Sequence, residues 1–179
     1  NMTASIDWSS PSTCNIEGSN NLDEIINQMT LRQKIGQIIM PDIQYVTPEE
    51  AKKYQLGSIL NGGGSWPNNK KTSTVEDWQN LSKAYYDASP VIGDQIVPII
   101  WGTDAVHGHS NVIGATVFPH NIGIGATQDT DLIKRIAGVV AKEVLSTGIV
   151  WTFAPTITVP QNDTWGRTYE GFSENQDLV

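Results

Sequence analysis

Ile96-Val97-Pro98-Ile99-Ile100-Trp101-Gly102-Thr103-Asp104-Ala105-Val106-His107-Gly108-His109 is the stretch on which the fold of this chain turns. Its first part, 96–101, is an unbroken apolar run, as expected of a strand covered on both faces in a parallel sheet. Pro98 cannot donate to an interior ladder and so belongs near the strand's start. A loop rich in Gly, Asn and His runs on to about residue 128. Asp129 then caps a helix that carries Leu132, Ile136, Val139, Val140 and Val144 on one side, and Gly148 fits its C′ position. Ile149-Val150-Trp151-Thr152-Phe153-Ala154 reads as another buried strand, halted by Pro155.

The same grammar extends towards the amino terminus. Leu22, Ile25, Ile26 and Met29 follow a helical period, and Thr30-Leu31-Arg32-Gln33 has the form of a capping box. That box opens a helix with Ile35, Ile38 and Ile39 on its apolar side, stopped by Pro41. Thr47-Pro48-Glu49-Glu50 opens the next helix, and Gly57 is expected to end it. Ser58-Ile59-Leu60 is a short strand leading into Asn61-Gly62-Gly63-Gly64-Ser65. Thr74-Val75-Glu76-Asp77 caps a helix bearing Trp78, Leu81 and Tyr85. Strands near 58, 96 and 149 alternating with helices predict an α/β fold built of βαβ units. The helix-to-strand connections are short. The strand-to-helix connections, 61–73, 102–128 and 155–173, are long, and functional residues of parallel α/β folds gather on such loops.

Composition narrows the function. The chain has 179 residues, with 11 Lys+Arg against 19 Asp+Glu for a net charge of −8, so it lacks the basic footprint of a nucleic-acid binder. No stretch approaches the ~18 apolar residues of a membrane span. A single cysteine, Cys14, excludes a disulfide framework within the chain. Residues 1–20 are polar and aperiodic, and they read as an irregular leader to the 21–179 domain.

Each long loop offers chemistry. Gly62-Gly63-Gly64 lacks both the GxGxxG spacing and the Lys-Ser/Thr pair of phosphate loops, so it reads as a backbone bend, with Trp66 either a stacking platform or a packed loop aromatic. Asp104 falls just past a strand end, where a carboxylate can accept hydroxyl hydrogen bonds, act as acid or base, or bind a metal. His107 and His109 invite a metal-dependent hydrolase reading, with His120 as the third imidazole of the chain. The alternative is loop histidines tied to backbone carbonyls. Arg167 has a fixed fork of donors suited to carboxylate or paired hydroxyls. It can also pair internally with Glu170 or Asp163, and both roles can hold together. Asp104 and Arg167 sit on loops of successive strands. An acceptor and a donor fork with tryptophans nearby match a polyhydroxylated ligand.

Gly102-Thr103-Asp104-Ala105-Val106-His107-Gly108, Thr116-Val117-Phe118-Pro119-His120-Asn121-Ile122-Gly123, Ala126-Thr127, Phe153-Ala154-Pro155 and Trp165-Gly166-Arg167-Thr168-Tyr169-Glu170 with Ser173-Glu174 resemble glycoside hydrolase family 3. Met29-Thr30-Leu31-Arg32-Gln33-Lys34-Ile35-Gly36-Gln37 is similar to the family's usual amino-terminal stretch, and the resemblance is strongest to its exo-acting β-glucan glucohydrolases and β-glucosidases. It implies that residues 21–179 are the opening of a (β/α)₈ TIM-barrel-type domain, with site loops at the strands' carboxyl ends. A complete barrel needs about 250 residues, so the chain reads as a truncation, expected to be inactive by itself. The remainder of the barrel and an α/β sandwich domain are expected to follow.

The implied reaction is hydrolysis of terminal non-reducing β-D-glucosyl residues with retention of configuration. Asp104 and Arg167 then bind hydroxyls of the terminal glucose. Retention needs two carboxyl groups about 5–5.5 Å apart. The resemblance puts the nucleophile, the general acid and a Lys-His pair beyond Val179, so no residue of this chain is assigned as catalytic. It calls for no cofactor and no metal, and its partner is a carbohydrate. It favours an extracellular or periplasmic location over the cytoplasm. The alternatives are a stand-alone carbohydrate-binding module, an N-acetylhexosaminidase of the same family and the His-x-His metal-dependent hydrolase.

Overall fold

The computed structural model describes residues 22–179, so the leader and Cys14 lie outside the described residues. Helices α1 (Leu22–Gln28), α2 (Leu31–Gln37) and α3 (Pro48–Tyr54) come first. Both expected capping boxes form. The Gln33 amide donates to Thr30 Oγ1 at 3.3 Å while Gln33 Oε1 accepts from the Thr30 amide at 2.8 Å. The Glu50 amide and carboxylate repeat this with Thr47 at 3.2 and 3.0 Å. A third box opens α4 (Val75–Asp87), with Asp77 in place of the usual Glu or Gln. Helix α3 does not end at Gly57, contrary to the sequence reading. Gln55 makes the left-handed turn, at φ 56°. Gly57 is needed for a different reason. A Cβ there would lie 2.7 Å from Gln37 O, so only glycine admits the backbone of α2 so closely.

Strand β1 (Ser58–Asn61) follows α3, and the chain then returns through α4 to a hairpin. The predicted strand over 96–101 divides at its proline. Val91–Ile92 (β2) and Gln95–Ile96 (β3) pair antiparallel, and only Ile100–Thr103 (β4) joins the main sheet. Pro98 offers no amide to a ladder, and the Ile99 amide between the two pieces donates instead to Ser89 Oγ at 3.0 Å. The loop read as irregular to residue 128 contains a short helix, α5 (Asn121–Gly125), hidden by two poor helix formers, Gly123 and Gly125. Helix α6 (Thr130–Ser146) has the predicted ends: Asp129 Oδ1 accepts from the Leu132 amide at 2.9 Å, and Gly148 takes φ 81°. Its stripe is narrower than predicted, because Val139 stays exposed while Val144 is buried. The final strand β5 is limited to Trp151–Thr152, paired on one side only among the described residues, with Val150 exposed.

The sheet is parallel, in the order β1-β4-β5, with Ile59 opposite Trp101 and Thr103 opposite both Asn61 and Thr152. A further rung lies outside β1. Leu60 donates to Pro41 O at 3.0 Å and accepts from the Ile43 amide at 2.9 Å, so the chain around Asp42 runs parallel to β1. The core is aromatic. Trp78, fully buried, lies 5.9 Å from Trp101, which meets the edge of Tyr85 at 5.6 Å. Two of its polar handles are satisfied from nearby: Tyr85 Oη donates to Val46 O, and Trp101 Nε1 donates to the buried Asn61 Oδ1 at 2.8 Å, whereas Trp78 Nε1 is buried without a partner. Among the described residues no helix is long and apolar enough to cross a membrane.

Candidate functional site

Parallel strands bring the loops after Asp42, Asn61, Thr103 and Thr152 to one end of the sheet. Thr103 is buried and closes β4, and Asp104, the next residue, is exposed. The Ala105 amide turns back to Thr103 O at 3.1 Å, which fixes the chain direction on the far side of the carboxylate.

The two histidines that suggested a metal have different surroundings. His109 is buried, 5.7 Å from Trp78, with Nε2 2.9 Å from Thr147 Oγ1. Thr147 Oγ1 in turn donates to Val144 O at 2.7 Å, so Nε2 carries the imidazole proton. Burial pushes the His109 pKa down to about 4. It is a neutral core residue. His107 stands edge-on to His120 at 4.1 Å, and His120 stands edge-on to Tyr169 at 4.4 Å. His107 Nδ1 is buried without a hydrogen-bond partner, and its pKa is lowered first by burial and then by His120, with Glu170 opposing. Among the described residues no three His, Cys, Asp or Glu side chains group as metal ligands do.

Arg167 precedes a short 3₁₀ turn, Thr168–Glu170, which carries the fork's partner. Arg167 Nε and Nη2 donate to Glu170 Oε1 and Oε2 at 2.9 and 2.7 Å, a bidentate pair. Glu170 is buried, its carboxyl held below the usual range first by the Arg167 hydrogen bond, while the guanidinium is exposed. Asp104 is close enough that its charge raises the Arg167 pKa, after the larger effects of Glu170. The two residues singled out from sequence thus stand on the loops after the adjacent strands β4 and β5, within range of each other's charge. Asn121 Nδ2, at the start of α5, donates to Glu170 O at 2.8 Å and ties the two loops together.

The glycine loop forms no phosphate cradle. The Gly62 amide is spent on Asp42 Oδ2 at 3.1 Å, and Ser65 Oγ also donates to that carboxylate. Trp66 packs against the core, as a loop aromatic does. Sequence reasoning misses Asp42, because Pro41 reads only as a helix stop. A carboxylate directly after the proline that stops a helix is its one available signal.

Residues 30–179 match the glycosyl hydrolase family 3 N-terminal domain. The chain belongs to glycosyl hydrolase family 3. It is 31% identical over 170 residues to a lysosomal β-glucosidase of Dictyostelium discoideum, covering 86% of this chain and 20% of the relative. It is 28% identical over 161 residues to a periplasmic β-glucosidase of Salmonella typhimurium, covering 87% and 19%. Among solved structures, an exo-1,3/1,4-β-glucanase from a Pseudoalteromonas species superposes with a TM-score of 0.81 at 50% identity, over 88% of this chain and 20% of that one. The chain therefore spans about a fifth of the length of these relatives. The parallel sheet with its helices is a fragment of the TIM-barrel-type domain of the family.

Proposed function

We propose that this chain contributes the glucose-binding wall of a retaining exo-acting enzyme that removes terminal non-reducing β-D-glucosyl residues from β-glucans or β-glucosides. Residues 21–179 form the amino-terminal part of its barrel domain. The rest of the barrel and an α/β sandwich domain complete the protein and supply the nucleophile and the general acid. Asp104 accepts hydrogen bonds from two neighbouring hydroxyls of the terminal glucose, and Arg167 donates to hydroxyl oxygens on the same ring.

The observation that carries this reading is that Asp104 and Arg167 stand on the loops after β4 and β5, at the carboxyl end of a parallel sheet, within range of each other's charge. It is supported by relatives named as β-glucosidases and an exo-β-glucanase. A charged acceptor and a charged donor at one rim suit a neutral ring rich in hydroxyls, and hydrogen bonds to charged groups strengthen as the transition state forms. The test is Asp104→Asn in the full-length protein, assayed on an aryl β-glucoside. The amide donates where the carboxylate accepted, leaving a sugar hydroxyl unpaired, and kcat/KM is expected to fall at least about 100-fold. Near-normal kcat/KM would remove Asp104 from the site.

A further inference from the structure

We propose that Glu170 is the positioning residue for Arg167: its buried carboxylate holds one edge of the guanidinium so that the other edge stays free for the sugar. This rests on the glucoside reading above and deepens it.

The argument begins with which partner is anchored. In the Arg167–Glu170 pair the arginine side chain is 65% exposed and the glutamate side chain 10%. An ion pair with both members in water locates neither of them. Here the carboxylate is fixed by its surroundings, and the arginine is fixed by the carboxylate. The anchoring of Glu170 is independent of Arg167's side chain. Asn121, itself buried, donates from Nδ2 to Glu170 O, and the ring of the adjacent Tyr169 closes against His120, which closes against His107. The loop after β4 therefore holds the turn after β5 from behind.

The donor count follows from the geometry. Nε and Nη2 are engaged by Glu170, which leaves the Nη1 edge unspent. An arginine left loose beside Asp104 has a second option: it can pair with that carboxylate directly. Both groups proposed to hold glucose would then be occupied with each other. By neutralising and aligning Arg167, Glu170 keeps Asp104 free to accept from hydroxyls.

The test uses the full-length protein in four forms besides wild type: Glu170→Gln, Glu170→Asp, Arg167→Lys and the Arg167→Lys/Glu170→Gln double variant. On an aryl β-glucoside, Glu170→Gln should lower kcat/KM about 10–100-fold, the range for partners that orient a ligating group. In the Arg167→Lys background the same change should cost less than about 3-fold, because the group it positions is already gone. Equal losses in both backgrounds would make Glu170 merely structural and overturn the proposal. A crystal structure of Glu170→Gln decides the point without reference to any reaction. A displaced Arg167 guanidinium supports positioning, and an unmoved one overturns it. If Arg167→Lys and Asp104→Asn both keep full activity, the glucoside reading fails, and that structure still settles whether Glu170 positions Arg167. Should Glu170→Gln fail to fold, Glu170→Asp carries the same comparisons. It retains the charge but withdraws the carboxylate by one methylene, which breaks the bidentate fit.

Discussion

His109 provides a quantitative test of the core. Its imidazole is 1% exposed, sits against Trp78 and donates from Nε2 to Thr147 Oγ1. A second proton would have to go on Nδ1 inside the core, and burial accordingly lowers the folded pKa to about 4 from 6.5. Because the folded value lies below the unfolded one, the unfolded chain binds more protons between them. The neutral ring's contribution is therefore complete above about pH 6.5 and is lost as pH falls towards 4. The full gap is worth about 3 kcal/mol, of which about 2 kcal/mol disappears between pH 7 and pH 5. In a folding unit of about 150–250 residues that is a drop of roughly 4–8 °C in Tm. His109→Gln keeps a donor for Thr147 and cannot titrate. The measurement is thermal unfolding of the full-length wild type and of His109→Gln at both pH values. The wild type should lose about 2 kcal/mol more than the variant on acidification. Parallel losses would refute the reasoning. So would an NMR titration placing the His109 transition near 6.5.

Gly125→Ala should destabilise the domain. It gains up to about 1 kcal/mol of helix propensity, but the added Cβ meets Phe172 O at 2.0 Å, and overpacking against backbone costs about 1–3 kcal/mol. Denaturant unfolding of the full-length protein checks the sign, and a stabilised variant would contradict the close approach of α5 to the chain after Glu170. Asn61→Ala strips the buried Trp101 indole of its acceptor and should cost about 1–3 kcal/mol in the same assay. A cost below about 0.5 kcal/mol would mean that the indole finds another partner.

The helix starts were legible because they depend on residues three apart: Thr30 with Gln33, Thr47 with Glu50, Thr74 with Asp77 and Asp129 with Leu132. Strand extents were less legible. The apolar run over 96–101 is long enough for one strand, and only the tertiary course of the chain assigns Gln95–Ile96 to a hairpin and Ile100–Thr103 to the sheet. The rung at Asp42 follows Ile38-Ile39-Met40, apolar residues that read as the side of a helix which in fact ends at Gln37. At the site, the Arg167–Glu170 pair could be foreseen from their spacing, since one turn brings them together. The hold of Asn121 on Glu170 could not, because 49 residues separate them and only folding makes them neighbours.

The cross-braced rim also bears on where this sequence can grow. Each loop at the strand ends is fastened to another: Gly62 and Ser65 to Asp42, Asn111 to Gly62 and Ser65, Asn121 to Glu170. Lengthening a loop between two such ties would pull the neighbouring loop with it. Gly166 is different: within its loop it lies between no two of these ties, and nothing lies within 4 Å of where a side chain would begin. Added chain there has no second tie to pull against, so that loop can lengthen without dragging the others.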